Sequence, residues 1–427
     1  MKPDTCSGRG REGRAGVKVD VLSGDRSIGG NFIRITDRDK SLVFDQGIRF
    51  DVMRRYYSFT VSPTSLAELR GLGVLPKPEW YVNVQDIYIT HMHLDHLGAL
   101  SNIPSEATVH VPSVETYELM EEKWRMSPSW LSLIPRKYYV NFEEVAPLEI
   151  DRNGVEAIPV SHSAFPAYAY LYHGSDETVL YTGDFRVESY LSREEFQALT
   201  GGPSLLEYFE ENRDVKVDLL IIEGTNIGSS RTPLSPEEAT AIHGRIMENS
   251  GVVIATLHSL DVEYVVMLAK MAENLDRNLY STSPETVLLL ESVPEISVKP
   301  HPIEEYVKII SVEEPTPLES VEPNSIILTS YRNVIDLIRE MNADALRDAV
   351  VVISEPEPAS EEMTEYDVVA NWMTRLNIQS YRIRVSGHYY PYQLKRIIET
   401  LNPKRVRVIH TEKPEASQRM VEQYLKM

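Results

Sequence analysis

The run Asp86-Ile-Tyr-Ile-Thr-His91-Met-His93-Leu-Asp95-His96-Leu-Gly98 places four potential metal ligands within six residues, directly after an apolar stretch. Histidine is scarce in this chain, 11 in 427 residues, and three fall here, which weighs against a chance cluster in a polar loop. In an extended segment alternate side chains share a face, so His91 and His93 can grip one ion. Asp95 and His96 lie past a bend that Gly98 helps to make, and can address a second. Imidazole with carboxylate suits zinc, and manganese less strongly. Two ions roughly 3.5–4 Å apart can clamp an attacking hydroxide and a phosphate oxygen together. The chemistry this suggests is metal-assisted hydrolysis, and the cluster alone does not identify the substrate.

Such a cluster needs a framework to hold it. The composition, 42% hydrophobic, allows a large core, and the length suggests two or three domains. Cys6 is the only cysteine, so intrachain disulfides are excluded and any metal site must draw on His and carboxylates. A cytoplasmic location fits that usage. The formal charge of −21 argues against a broad basic surface for nucleic acid, although metal ions can supply positive charge in a narrow site. No apolar run reaches the roughly 18 residues of a membrane span, and no secretory leader is evident, so no membrane partner is expected. Residues 1–16 read as a disordered basic tail.

Strands are expected at Val17–Leu22, Asn31–Thr36, Ser41–Phe44, Asp86–Thr90, Ala107–Val111, Val155–Val160, Thr178–Thr182 and Leu219–Ile222, with a helix at Ser113–Lys123. Ser235-Pro-Glu-Glu238 is a helix start with Ser as N-cap and Glu three residues on. From there strands (Val252–Leu257, Ser325–Leu328, Ala349–Ile353) alternate with helices (Val262–Leu275, Asn333–Met341), the pattern of a parallel α/β unit. Glu313–Pro323 and Ser354–Glu362 read as exposed loops. A strand from Tyr381 to Val385, a helix Tyr392–Leu401, a strand Arg405–Ile409 and a last helix from Glu415 complete the chain. One domain is interrupted by another: 17–231 and 381–427 around an inserted 232–380.

The pattern His91-x-His93-x-Asp95-His96 resembles the signature of the metallo-β-lactamase superfamily. In family order, Val160-Ser-His162-Ser resembles the third metal motif, and Tyr181-Thr-Gly183-Asp184-Phe the fourth, whose Asp bridges two ions. Phe44-Asp45-Gln46-Gly47 resembles a strand-end Asp-x-Gly that orients ligands without binding metal. Leu219-Leu-Ile-Ile-Glu223-Gly-Thr225-Asn226 resembles the acidic motif with which β-CASP nucleases leave the lactamase domain. The inserted unit fits their cassette. Val385-Ser386-Gly387-His388 resembles their Ser-Gly-His motif, and Val408-Ile409-His410-Thr411-Glu412 their last one. The resemblance runs from Val17 to the C-terminus and is nearest to a compact archaeal-type ribonuclease J.

It implies an α/β fold, a metallo-β-lactamase αββα sandwich interrupted by a parallel α/β β-CASP cassette. It also implies two Zn2+ ions, with Mn2+ as the other candidate, held by His91, His93, His162, Asp95, His96, His410 and a bridging Asp184. Asp95, Asp184, Glu223 and His388 would be the catalytic set, with Glu223 holding His388 protonated against the phosphate. Ser386, Gly387 and His388 would seat that phosphate. His at the last motif points to RNA as substrate, cleaved as 5′-exonuclease, endonuclease or both by a two-metal hydroxide mechanism. A homodimer is compatible with it. The rivals are a DNA nuclease or other phosphodiesterase on the same fold, and a non-catalytic RNA-binding subunit. Two departures stand out: Asp261 and Glu263 open the cassette helix where a basic residue is common and would repel phosphate, and Tyr389-Tyr390 follow His388, either stacking on bases or packing in the core.

Overall fold

The described residues fold around three β-sheets, and the sequence explains each by which faces must be apolar. The computed structural model describes residues 16–58, 61–100, 106–126, 140–291, 293, 298–306, 315–354 and 363–425. The basic tail therefore lies outside the described residues except for Gly16, as does Ser354–Glu362 except for Ser354.

The first sheet has six strands in sequence order: β1 (Lys18–Ser23), β2 (Phe32–Asp37), β3 (Lys40–Phe44), β4 (Asp86–Tyr88), β5 (Thr108–Val111) and β6 (Asn141–Glu144). The first two pairings are antiparallel and the others parallel. The second sheet holds β7 (Val155–Pro159), β8 (Tyr168–His173), β9 (Thr178–Tyr181) and β10 (Leu219–Glu223). The third is parallel throughout, in the order β13-β12-β14-β11-β15-β16, from β11 (Val253–Thr256), β12 (Asn278–Ser281), β13 (His301–Pro302), β14 (Ser325–Thr329), β15 (Val350–Ile353) and β16 (Gln379–Arg382). The chain then returns to the second sheet as β17 (Arg405–Ile409), parallel to β10.

Period-two alternation turns the first two sheets into a sandwich. Ile33, Ile35, Leu42, Phe44 and Tyr88 of one sheet meet Tyr168, Tyr170, Tyr172, Val179, Tyr181, Ile221 and Ile409 of the other in one buried cluster. The intervening residues face outward under helices. Leu180, Leu220, Ile222, Val406 and Val408 pack against helices Leu205–Glu211, Leu394–Leu401 and Pro414–Leu425. Val43, Ile87 and Val109 pack near Tyr117, Met120 and Trp124 of helix Val114–Met126. Each fully buried side chain of this kind contributes about 1.5–3 kcal/mol relative to exposure. The result is the expected αββα sandwich. The third sheet is apolar on both faces, as parallel sheets between helices must be.

Several elements differ from expectation. The strand placed at Tyr381–Val385 is instead β16, which pairs with β15 in the third sheet (Val350 opposite Gln379). Strand β8 and the short helices Phe50–Tyr56, Leu66–Leu72, Arg193–Thr200 and Leu205–Glu211 were unread; tyrosine-rich alternation and two-turn helices carry little local signal. The described part of Glu313–Pro323 is not simply an exposed loop, because Leu318 and Val321 are buried in the third-sheet core.

Candidate metal centre

Every residue singled out for metal chemistry sits just beyond a strand of the sandwich. Asp45 follows β3, the His91–His96 run follows β4, His162 follows β7, Asp184 follows β9, and His410 follows β17. The backbone bends sharply there: Asp45, Gly183 and His410 take φ of 56°, 56° and 52°. Such conformations are uncommon for residues other than glycine and cost of order 1–3 kcal/mol, so side-chain placement outweighs local comfort. At Gly183 a Cβ would lie 2.8 Å from Thr90 Cβ, so only glycine lets the turn close. His93 caps the one-turn helix Leu94–Leu97, which carries Asp95 and His96 inward.

The nitrogens converge. His93 Nδ1 lies 3.1 Å from His91 Nε2 and 3.2 Å from His162 Nε2. The outward nitrogen of His91 donates to Thr90 Oγ1 at 3.0 Å, and that of His162 to Gly387 O at 2.6 Å. Lone pairs thus face a common centre, an arrangement a cation resolves. The spacing is close to the ~3.3 Å between tetrahedral ligands ~2.0 Å from a shared ion. A second group joins Asp95 Oδ2, His96 Nε2 and His410 Nε2, with 3.8 Å between Asp95 and His96 and 3.4 Å between Asp95 and His410. Between the groups, Asp184 Oδ2 lies 3.1 Å from His96 and 3.4 Å from His410, while its buried Oδ1 has no hydrogen-bond partner. An orphaned carboxylate oxygen beside converging imidazoles fits metal ligation.

Outer contacts fix the rings of His96 and His410 as well as those of His91 and His162. Asp45 is fully buried and accepts from His96 Nδ1 (2.7 Å), Tyr181 OH (2.5 Å) and Thr90 N (2.8 Å). Thr225 Oγ1 meets His410 Nδ1 at 2.8 Å. Burial pushes His91, His93 and His162 down, His93 to about 4, so all three are neutral and ready to ligate. Burial would also lower His96, but Asp184, Asp45 and Asp95 outweigh it and raise His96 well above the usual range. Burial opposes ionisation of Asp184, yet His410, His96 and His388 hold it well below the usual carboxylate range. So many carboxylates demand positive charge in their midst.

Beside this cluster His388 Nδ1 lies 3.0 Å from Glu223 Oε1 and 3.8 Å from Asp184 Oδ2. Burial lowers the imidazole, but Glu223 and then Asp184 raise it further, leaving it above its ordinary value. Glu223 also accepts from Thr225 N at 3.0 Å. Ser386 Oγ accepts from Asn226 Nδ2 and His388 N, which shapes the loop and leaves its own proton to give. Tyr389 and Tyr390 are core residues rather than base platforms: both are buried, and Tyr389 OH donates to Glu223 O at 2.7 Å.

Sequence reasoning assigned no role to Thr90, Thr225 or Asn226, although all three sit inside quoted motifs. It also missed His258, whose ring centroid lies 5.2 Å from that of His93. Its position just past β11, at a parallel strand end, was the available signal.

The family model described as the metallo-beta-lactamase superfamily matches residues 29–227. Over that span the chain is similar to the metallo-β-lactamase superfamily. A ribonuclease J from Mycolicibacterium smegmatis is 24% identical over 422 residues, 92% of this chain and 69% of that relative. One from Helicobacter pylori 26695 is 22% identical, covering 93% of this chain and 56% of the relative. One from Pyrococcus abyssi is 23% identical over 53% of this chain and 48% of its own length. A solved protein of unknown function from Enterococcus faecalis V583 superposes with a TM-score of 0.72 at 20% identity, covering 94% of this chain and 96% of that one, and so shares the fold. The likeness to ribonucleases J extends across the inserted third-sheet unit, since the match covers 92% of this chain. Among the described residues no helix is long and apolar enough to cross a membrane.

Proposed function

We propose that the chain is a metal-dependent ribonuclease that hydrolyses RNA phosphodiester bonds at the cleft between sandwich and third-sheet unit. The observation that carries this reading is the position of Asp184 between two ligand triads, with the Glu223–His388 pair alongside. Similarity to several ribonucleases J supports RNA as the substrate.

His91, His93 and His162 would hold one divalent cation; Asp95, His96 and His410 would hold another, with Asp184 shared. The donor set favours zinc, with manganese second. Bound there, two cations would make water a competent nucleophile at neutral pH and offset phosphate charge. The chain's own groups do the rest. Glu223 holds His388 by Nδ1, leaving Nε2 to face the phosphate and support charge on its oxygens or the leaving group. Gly387 N–H and the Ser386 hydroxyl seat the phosphate. Asp45 and Thr90 keep the ligand rings from turning.

The test is cleavage of 5′-monophosphorylated and 5′-triphosphorylated labelled RNA, the matching DNA and a chromogenic phosphodiester, with and without chelator. The proposal expects chelator-sensitive products from RNA and much slower attack on DNA. Equal rates on DNA, or products that persist in chelator, would overturn it.

A further inference from the structure

Arg186 lies two residues past Asp184, is only 5% exposed, and has no part in the chemistry above. Its Nε donates to Ser161 Oγ at 2.8 Å and its Nη2 to the carbonyl oxygen of His162 at 3.0 Å. The same Nη2 lies 3.2 Å from Glu263 Oε2 and 3.3 Å from Asp261 Oδ1. Glu263 Oε2 in turn accepts from Ser161 Oγ and Ser189 Oγ, each at 2.7 Å. Both carboxylates open helix Val262–Asn274 of the third-sheet unit, and Phe165 N donates to Leu260 O at 2.9 Å beside them. The two acids that sequence reasoning set against a phosphate backbone are instead turned onto a buried guanidinium.

Buried ion pairs add little net stability over apolar packing, so stability alone does not explain a charged joint at this place. What it does fix is direction. Its hydrogen bonds close on Ser161 and on the backbone of His162, the third imidazole of the first cluster. We propose that Arg186 and Glu263 are positioning residues through which the third-sheet unit sets His162, so that metal affinity at the three-imidazole cluster depends on how that unit is docked. This rests on the reading of the cluster as a metal site.

The test uses the full-length protein and zinc titrated against a chromophoric chelator at a temperature well below unfolding. Wild type, Glu263→Gln, Glu263→Ala and Leu337→Ala are compared, the last removing a fully buried side chain from the far face of the third sheet. Glu263→Gln keeps an acceptor for the two serines, and serves even where Glu263→Ala does not fold. Wild type should take up two ions, and the Glu263 variants should bind one of them about 10–100-fold more weakly, as loss of an outer ligand contact does. Leu337→Ala should lower Tm with both affinities unchanged. Glu263 variants that lose Tm but keep both affinities would overturn the inference. A wild-type chain that binds no zinc would overturn the metal site itself, a separate and recognisable outcome.

Discussion

His162 Nδ1 lies 2.6 Å from the carbonyl oxygen of Gly387, joining a metal-cluster imidazole to a loop 225 residues further along the chain. The contact sets which nitrogen of His162 faces the cluster and carries the Ser386–His388 turn to the same point. Gly387 has no room for more: a Cβ there would lie 2.4 Å from Ser163 Oγ and 3.0 Å from His162 Cε1. Gly387→Ala is therefore expected to displace His162 and weaken zinc binding by about 10–100-fold, the range for disturbed outer contacts. Chelator competition on the purified variant measures it, and unchanged affinity would remove the coupling.

Glu223 and His388 should behave as one unit. Glu223→Gln keeps the side chain's shape, but its single amide oxygen can accept from only one of Phe185 N and Thr225 N, and it loses the charge that favours protonated His388. Both Glu223→Gln and His388→Ala are expected to lower kcat by roughly 10²–10⁴ without loss of bound metal. Because they act through the same proton, the double variant should be little worse than His388→Ala. Additive losses would show that the two residues work separately.

Asp86 offers a test of the fold away from the chemistry. Its buried carboxylate accepts from His110 Nε2 at 2.8 Å and from the half-exposed Arg152 at 3.1 Å. Burial opposes ionisation, yet His110, Asn153 and Arg152 hold the group below its usual range. A depressed carboxylate stabilises the fold above its unfolded pKa of about 3.9, and the benefit is lost as pH falls through the folded value. Asp86→Asn should thus cost about 1.5–3 kcal/mol at pH 7, most of it at His110 because Arg152 is screened. The Tm gap between variant and wild type, followed by circular dichroism, should shrink steadily below pH 4. A gap independent of pH would assign the effect to packing.

The candidate ligands stood out because strand-end chemistry is local: four potential donors fall in six residues, and His162, Asp184 and His410 each end an apolar run. The sandwich was legible from period-two alternation in strands such as β10, where Ile221 faces the partner sheet and Leu220 and Ile222 face the helices. What could not be read was pairing at long range. Arg186, Asp261 and Glu263 are ordinary charged residues in sequence, and only the fold shows that the two acids face inward. Tyr389 carried the same ambiguity, since an aromatic ring beside a functional loop suits a base or a core equally until Glu223 O is found at its hydroxyl.

The central claim is that Asp184 joins two cation sites into one hydrolytic centre. It is tested most directly by the cleavage rate of 5′-labelled RNA for wild type and Asp184→Asn, side by side, with zinc or manganese and with chelator. The account predicts chelator-sensitive cleavage by wild type and a loss of at least about 10³-fold in the variant, since removing a single transition-state contact already costs 10²–10³-fold. Full metal-dependent cleavage by Asp184→Asn would contradict it.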